Sequence, residues 1–162
     1  MPTTVFKIED GDFGLSITEP TNAADVTLAT LADYDDFRCQ MTSGALEASP
    51  NLTTETIPAT GCSAEQTITT VGVTSYNLVL GHLQDPQVAA GLTRFLFEHD
   101  TELAYFYFGM DGDNPPKAIG QLRVVAATIG GPMRTTLQAS VTMPLEAKPS
   151  IEFGDDVTSA VV

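Results

Sequence analysis

The stretch SYNLVLGHLQDPQVAAGLTRFLFEHDTELAYFYFG, residues 75–109, constrains the fold more than any other part of the chain. Residues 75–83 are rich in β-branched, aromatic and aliphatic side chains and read as a strand. Asp85 offers a side-chain oxygen to cap free helical N–H groups, and Pro86 suits the first helical position, where its missing N–H is no loss. Val88, Leu92, Phe95, Leu96 and His99 then recur at helical spacing. This predicts one amphipathic helix over residues 86–99, with Val88, Leu92, Phe95 and Leu96 as its core face. A short aromatic strand at 103–108 follows, ended by Gly109. Strand, helix and strand form the nucleus to which the rest attaches.

On either side the pattern is β. Residues 4–9 and 13–18 are short alternating runs with the hairpin signal Asp10-Gly11 between them. Residues 19–36, with Pro20, Asn22 and a broken apolar pattern, read as a connection holding one short strand. Residues 37–46 alternate Phe37, Cys39 and Met41 against Arg38, Gln40 and Thr42, as a half-buried strand does. Residues 67–73 are again strand-like, and DGDNPP within 110–116 is turn chemistry. Residues 121–129 and 135–143 read as strands joined by the hairpin signal Gly130-Gly131-Pro132, and 150–153 as a last short strand. Many short strands with a single helix predict one mainly β domain over residues 1–153, a two-sheet sandwich or partly open β-barrel with one flanking helix. Residues 154–162 read as a flexible acidic tail.

Residues 44–66, GALEASPNLTTETIPATGCSAEQ, break the pattern. Threonine, proline and small side chains dominate, with little apolar periodicity. A long loop inside a compact domain is functional, or becomes ordered on a partner. Leu46, Leu52 and Ile57 have no evident home within it, which marks them as contact candidates.

Charge narrows the partners. The 162 residues carry 21 acidic against 7 basic side chains, a formal charge of -14. That balance repels nucleic acid and anionic membranes. No run approaches a membrane span and the N-terminus lacks the layout of a signal peptide, so synthesis and residence in a cytoplasm are expected. Hydrophobic content of 43% suffices for an ordinary core.

Chemistry is sparse. No G-x-S-x-G, P-loop or G-x-G-x-x-G occurs. Cys39 and Cys62 are too few for a disulfide scaffold, and with His82 and His99 they lack metal-ligand spacing. Asp111 and Asp113 are spaced as in a calcium loop, but Pro115 and Pro116 stand where further ligands belong, so a plain hairpin connection is expected. The chain reads as a non-enzyme without cofactor or metal; a hydrolase built on paired acids is the remaining catalytic alternative. Glu98, Asp100 and Glu102 cluster at the helix end, where the macrodipole disfavours anions, which suggests a basic patch on a neighbouring subunit as their partner.

Several phrases resemble the major tail tube protein of long, non-contractile-tailed bacteriophages: CQMTSGALEASPNLTTETIPATGC, TTVGVTSYNL, LQDPQVAAGLTRFLFEHD and TELAYFYFGMDGDNPPKAIGQ, then GGPMRT and KPSIEF. The resemblance runs over residues 37–153, in the order of the elements above. It implies a β-barrel or sandwich with one flanking helix. It also implies six copies closing into a ring, rings stacked into a hollow tube, and an inner barrel through which the genome passes. The inner-tube ring protein of type VI secretion shares that fold. By the same resemblance the partners are further copies of the chain, tail-tip and tail-terminator proteins and a tape-measure protein in the lumen. The setting is the virion, with host cytoplasm during assembly.

Ring closure would pair the edge strands an open sheet exposes. Acidity gains a use as well: six copies at -14 carry 6 × -14 = -84, and a channel must not bind the DNA it conducts. Asp35, Asp36, Glu47 and Glu65 flank the strands around the long loop and are the lumen candidates. Leu46, Leu52 and Ile57 are the ring-stacking candidates, and Arg94 and Arg134 the candidates for ion pairs between subunits. The alternative is a monomeric β-sandwich binding or decoration module of a virion.

Overall fold

The computed structural model describes residues 11–110, 116–131 and 136–154. In chain order the elements are β1 (Asp12–Ser16), β2 (Asp35–Asp36), β3 (Met41–Ser49), β4 (Leu52–Ile57) and β5 (Gln66–Val71). They continue with β6 (Ser75–Leu83), α1 (Leu92–Glu98), β7 (Leu103–Gly109), β8 (Lys117–Arg123), β9 (Gln138–Pro144) and β10 (Ser150–Glu152). Two antiparallel sheets face each other, a first in the order β10-β8-β7-β1-β2 and a second in the order β3-β6-β9. The remaining pair, β4 and β5, forms a separate two-stranded hairpin. A single bridge between Leu122 and Leu145 joins the sheets on one side. The result is a sandwich that is not a closed barrel.

Residue alternation explains the layers. From β7, Ala104, Phe106 and Phe108 point into the space between the sheets, where they join Phe13, Leu15 and Leu122 of the first sheet. Leu78, Leu80, Val141 and Met143 come from the second sheet, and α1 adds Leu92 and Leu96. The other face of β7 is also covered. Tyr107 packs with Tyr34, Ala29 and Ile119 under the segment before β2, and Tyr105 joins that cluster from its rim. Burial on both faces accounts for the unbroken AYFYF run, which an exposed sheet face would interrupt with polar side chains.

The helix is shorter than the sequence predicts and starts at Leu92. Residues 85–91 form two successive turns instead: the Val88 N–H donates to the Asp85 carbonyl and the Gly91 N–H to the Val88 carbonyl. Both carbonyls crowd Gly91, where an added Cβ would lie 3.0 and 3.1 Å from them. The helical N–H of Leu92 is capped from a distance by the Gln40 side chain, not by Asp85. Val88 consequently lies outside the helix and is 40% exposed, not in the core. Leu92 and Leu96 are fully buried and Phe95 packs against the core partly exposed.

Three further readings are corrected. Residues 38–40 form a 3-10 turn with Cys39 exposed, because the Asp36 carboxylate accepts the Arg38 N–H and the Gln40 N–H donates back to Phe37. Residues 121–129 and 135–143 do not form a hairpin: β8 ends at Arg123 in the first sheet, while β9 pairs with β6 in the second. Residues 44–66 are not structureless, since β3 occupies their start, β4 their middle and a tight turn their far end. The strand expected at 4–9, the calcium-like Asp111 and Asp113, and all but Gly154 of the tail at 154–162 lie outside the described residues. The β7–β8 connection is nonetheless a hairpin, closed where the Met110 N–H donates to the Pro116 carbonyl.

Candidate assembly surface

The most exposed structure is the β4–β5 arm. It continues the β3–β6 ribbon outward after a break in the ladder, where the Gly72 N–H donates to the Asn51 carbonyl. Every residue of both strands is exposed. Register puts Thr53 opposite Thr70, Thr54 opposite Thr69 and Thr56 opposite Thr67. Such cross-strand pairs contribute roughly 0.2–1 kcal/mol each, which favours pairing in a ribbon that has no core of its own. The tip closes at Thr60 and Ser63, whose hydroxyls are 2.8 Å apart. A two-stranded hairpin alone is marginal in water, so an arm of this kind calls for a surface to lie on.

Each arm face carries aliphatic side chains. Leu52 and Val71 share one face, 57% and 65% exposed; Ile57 and Ile68 share the other, 43% and 47% exposed, with Glu55 beside Ile68. Leu52 and Ile57 thus sit in the arm on opposite faces. Leu46 does not: it points inward from β3 and packs against the chain's own core, because strand alternation turns Gly44 and Leu46 toward Phe108. Sequence reading missed Ile68 and Val71. The signal was the TITTV run, whose β-branched side chains have no buried face.

The second sheet's outer face is the other notable surface. Ala45, Glu47, Ser49, Asn77, Val79, Ser140 and Thr142 alternate outward from β3, β6 and β9. Among the described residues the face is nearly flat in chemistry, mostly small and polar, with Glu47 its one charged side chain and no lysine or arginine. The two sheets also differ at their borders. The first ends in β2, two residues long, and β10, three residues long. The second ends in β3, nine residues, and β9, seven residues. Short edges are blunted; long flat ones are templates for further pairing.

The lumen candidates are not gathered together. Asp35 and Asp36 line a groove of about 620 Å³ between β2 and α1, with Asp33, Glu98 and His99. Asp36 is bound to Arg38 at 3.1 Å. Glu47 lies on the second sheet's outer face, and Glu65 is exposed in the arm just before β5. The helix-end carboxylates find partners within the chain: Glu98 pairs with Arg94 at 2.6 Å, Glu102 contacts the His99 ring at 3.0 Å, and Asp100 accepts the Ala126 N–H at 2.8 Å. Arg94 is therefore engaged by its own helix, and Arg134 lies outside the described residues. Arg123 and Lys117 also pair internally, with Glu146 and Glu152. Such half-exposed pairs are worth about 0–1 kcal/mol each, but they occupy most of the described cations and leave the acidic surplus facing outward.

Ionisation within the body follows burial. Desolvation, with Asp33 and Tyr107 nearby, pushes the Tyr34 hydroxyl up to about 12. Burial raises Tyr107 and holds His82 below the ordinary histidine range. Among the described residues there is no group of three or more metal-ligating side chains, and no helix is long and apolar enough to cross a membrane. Both cysteines are free and exposed.

Among the described residues these features define a β-sandwich with two long strand edges that no other strand pairs, and a projecting hairpin. A solved structure shares the fold. The chain is similar to one in the virion of a native gene transfer agent particle, with 12% identity and a TM-score of 0.55. That match covers 91% of this chain and 99% of the other. It is also similar to a chain in the tail of an empty gene transfer agent particle, with C6 symmetry (10% identity, TM-score 0.48, covering 70% of this chain and 82% of the other). No protein-family model and no curated protein sequence matches the chain.

Proposed function

We propose that the chain is a structural, non-enzymatic subunit of a phage-like tail tube. Six copies form a ring in which the β3 edge of one copy adds to the β9 edge of the next, and rings stack into a tube. The observation that carries this reading is the asymmetry of the borders: the sheet with long, unblunted edges is also the one whose outer face is small, polar and free of cations. The phrase resemblance from residue 37 onward and the virion fold support it. In such a ring the outer face of β3, β6 and β9 lines the bore, and Glu47 is the carboxylate each copy presents there. Asp35, Asp36 and Glu65 lie elsewhere on the subunit and add to the general acidity. A wall without lysine or arginine gives phosphates nothing to neutralise, and screening confines repulsion to about 8–10 Å at physiological salt. DNA passes without adhering.

Purified protein taken through a concentration series tests the proposal by mass measurement and negative-stain imaging. Annuli and tubes whose three-dimensional reconstruction places Glu47 in the bore are expected. A monomer at every concentration would overturn the proposal and favour a decoration module.

A further inference from the structure

The β3–β6 ribbon has two unlike ends. At its Met41 end the chain enters β3 from the turn at 38–40, and next to that turn lies the groove between β2 and α1. Tyr34, Phe37, Ile17 and Phe95 give it an apolar lining, and Asp33 and Asp35 stand exposed at it with no cation partner among the described residues. At the other end, where Ser49 pairs with Ser75, the β9–β10 connection runs beside Ser75 and Tyr76. That connection is anchored: the Leu145 N–H donates to the Tyr76 carbonyl at 2.9 Å, the Glu146 N–H to the Gln121 carbonyl at 3.1 Å, and Pro149 is buried. Lys148 stands exposed on it. Arg38, Arg94, Lys117 and Arg123 each pair with an acid of their own chain, whereas Lys148 has no such partner among the described residues. The nine residues of β3, about 27 Å at roughly 3.4 Å each, separate this lysine from its own copy's groove.

We infer that Lys148 of a copy in one ring docks at the β2–α1 groove of a copy in the next, its ammonium set against Asp33 and Asp35 and its stem over the apolar lining; this rests on the tube proposed above. Adding β3 edges to β9 edges sets the strands of the second sheet side by side around the ring, so the two ends of β3 lie on opposite ring faces. Stacking by repetition joins unlike faces, a heterologous contact that propagates. It brings the one described cation without an internal partner to two carboxylates that also lack one. An exposed pair of this kind is weak alone, but every copy around the ring contributes one to the same junction. Its main effect is on polarity: two groove faces brought together would set acids against acids, so only the unlike face is admitted.

The test uses the full chain in four forms: wild type, Lys148→Glu, a groove variant (Asp33→Lys with Asp35→Lys) and the combination of all three substitutions. Every altered side chain is exposed, and circular dichroism and thermal melting establish that each form folds. Lys148→Glu and the groove variant should still close into rings, with mean tube length in micrographs falling about tenfold because each junction loses all its pairs at once. The groove variant should shorten tubes although it lowers the net negative charge, which separates this contact from general repulsion. The combined form restores opposite signs and should recover length. Carbodiimide coupling of wild-type tubes, assembled from a mixture of isotope-labelled and unlabelled chain, gives a second reading that needs no substitution. Amide links from Lys148 to Asp33 or Asp35 of a different copy are expected in tubes and absent from unstacked rings. Tubes of normal length from Lys148→Glu, no recovery in the combined form, or Lys148 linked only to other carboxylates would overturn the inference while leaving the tube reading intact. Wild type that never forms rings would overturn the tube reading itself.

Discussion

His82 offers the sharpest physical test of the packing beneath the second sheet. It lies on the inner face of β6, the central strand, paired across the ladder with Met41 on one side and Ala139 on the other. The residue is 0% exposed, and neither ring nitrogen has a hydrogen-bond partner among the described residues. A buried polar group left unmade costs about 1–3 kcal/mol. Replacing His82→Leu removes that cost and retains most of the volume, against a shape penalty of up to about 1.5 kcal/mol. A net gain of about 1 kcal/mol at neutral pH is expected, worth roughly 2–4 °C in Tm for a chain of this size. The pH dependence has a definite sign. Burial holds the imidazole neutral in the fold, with its pKa below the unfolded value of 6.5. The unfolded chain therefore takes up the proton first. Stability from this group is full above about pH 6.5 and lost as pH falls toward the depressed folded value, with a slope of at most about 1.4 kcal/mol per unit. Melts of both forms at pH 7.5 and 5.0, before assembly, isolate the effect, because every other titrating group cancels in the difference. The variant's advantage should widen at pH 5.0. A variant less stable than wild type at pH 7.5, with the same pH slope, would show that the ring nitrogens are satisfied and refute the reasoning.

Three further outcomes are expected. Replacing residues 51–72 by a two-residue turn should change stability by less than about 1 kcal/mol, since the arm strands bury nothing, yet abolish tubes in micrographs; a large loss on thermal unfolding would mean the arm supports the body. Glu47→Lys in assembled tubes should produce DNA retention that weakens steeply from 50 to 200 mM salt in a filter assay, and unchanged, absent retention would place residue 47 outside the bore. Gly44→Val should cost about 1–3 kcal/mol on chemical denaturation, because a Cβ there would sit 2.6 Å from the Phe108 ring; a neutral result would mean that ring moves aside freely.

Hydrophobic patterning reports burial, and the fold was legible where burial is strong. β6 is found over the residues its composition marks, and β7 extends the expected aromatic strand by one residue to Gly109, because its two faces meet two clusters. The helix was over-extended because Val88 fits a helical period that the turns before Gly91 interrupt, and crowding by two carbonyls leaves no trace in spacing. The β4 half of the arm reads as a loop for the opposite reason, while residues 67–73 read as a strand. Strands exposed on both faces have no alternation to display, so Thr53, Thr54 and Thr56 look like loop composition until they are set opposite Thr70, Thr69 and Thr67. Ser140 and Thr142 were assigned to a strand, but to a hairpin with the preceding one, since Gly130-Gly131-Pro132 signals a turn without saying which sheet the chain enters next. The candidate site was less legible. Asp35, Asp36, Glu47 and Glu65 were grouped by proximity to one loop in sequence, whereas faces and edges divide them.

The two contacts proposed for the subunit, lateral closure and stacking, differ in physical character. Adding the β3 edge to the β9 edge would satisfy backbone N–H and C=O groups on strands held rigidly by the core, so the subunit would arrive already shaped for the proposed ring. An arm used in the proposed stacking would instead order a ribbon with no buried surface, and only burial of its aliphatic side chains would offset that entropy. Lateral closure should therefore be the stronger contact and stacking the weaker, with rings forming first and tubes by accretion. Net charge acts in the same direction. At -14 per copy, subunits repel at long range, and only contacts that bring many groups into register overcome it. If the proposed tube forms, the acidity that would keep DNA off its wall would also oppose contacts between isolated subunits and favour stacking of complete rings, which present several contact surfaces at once.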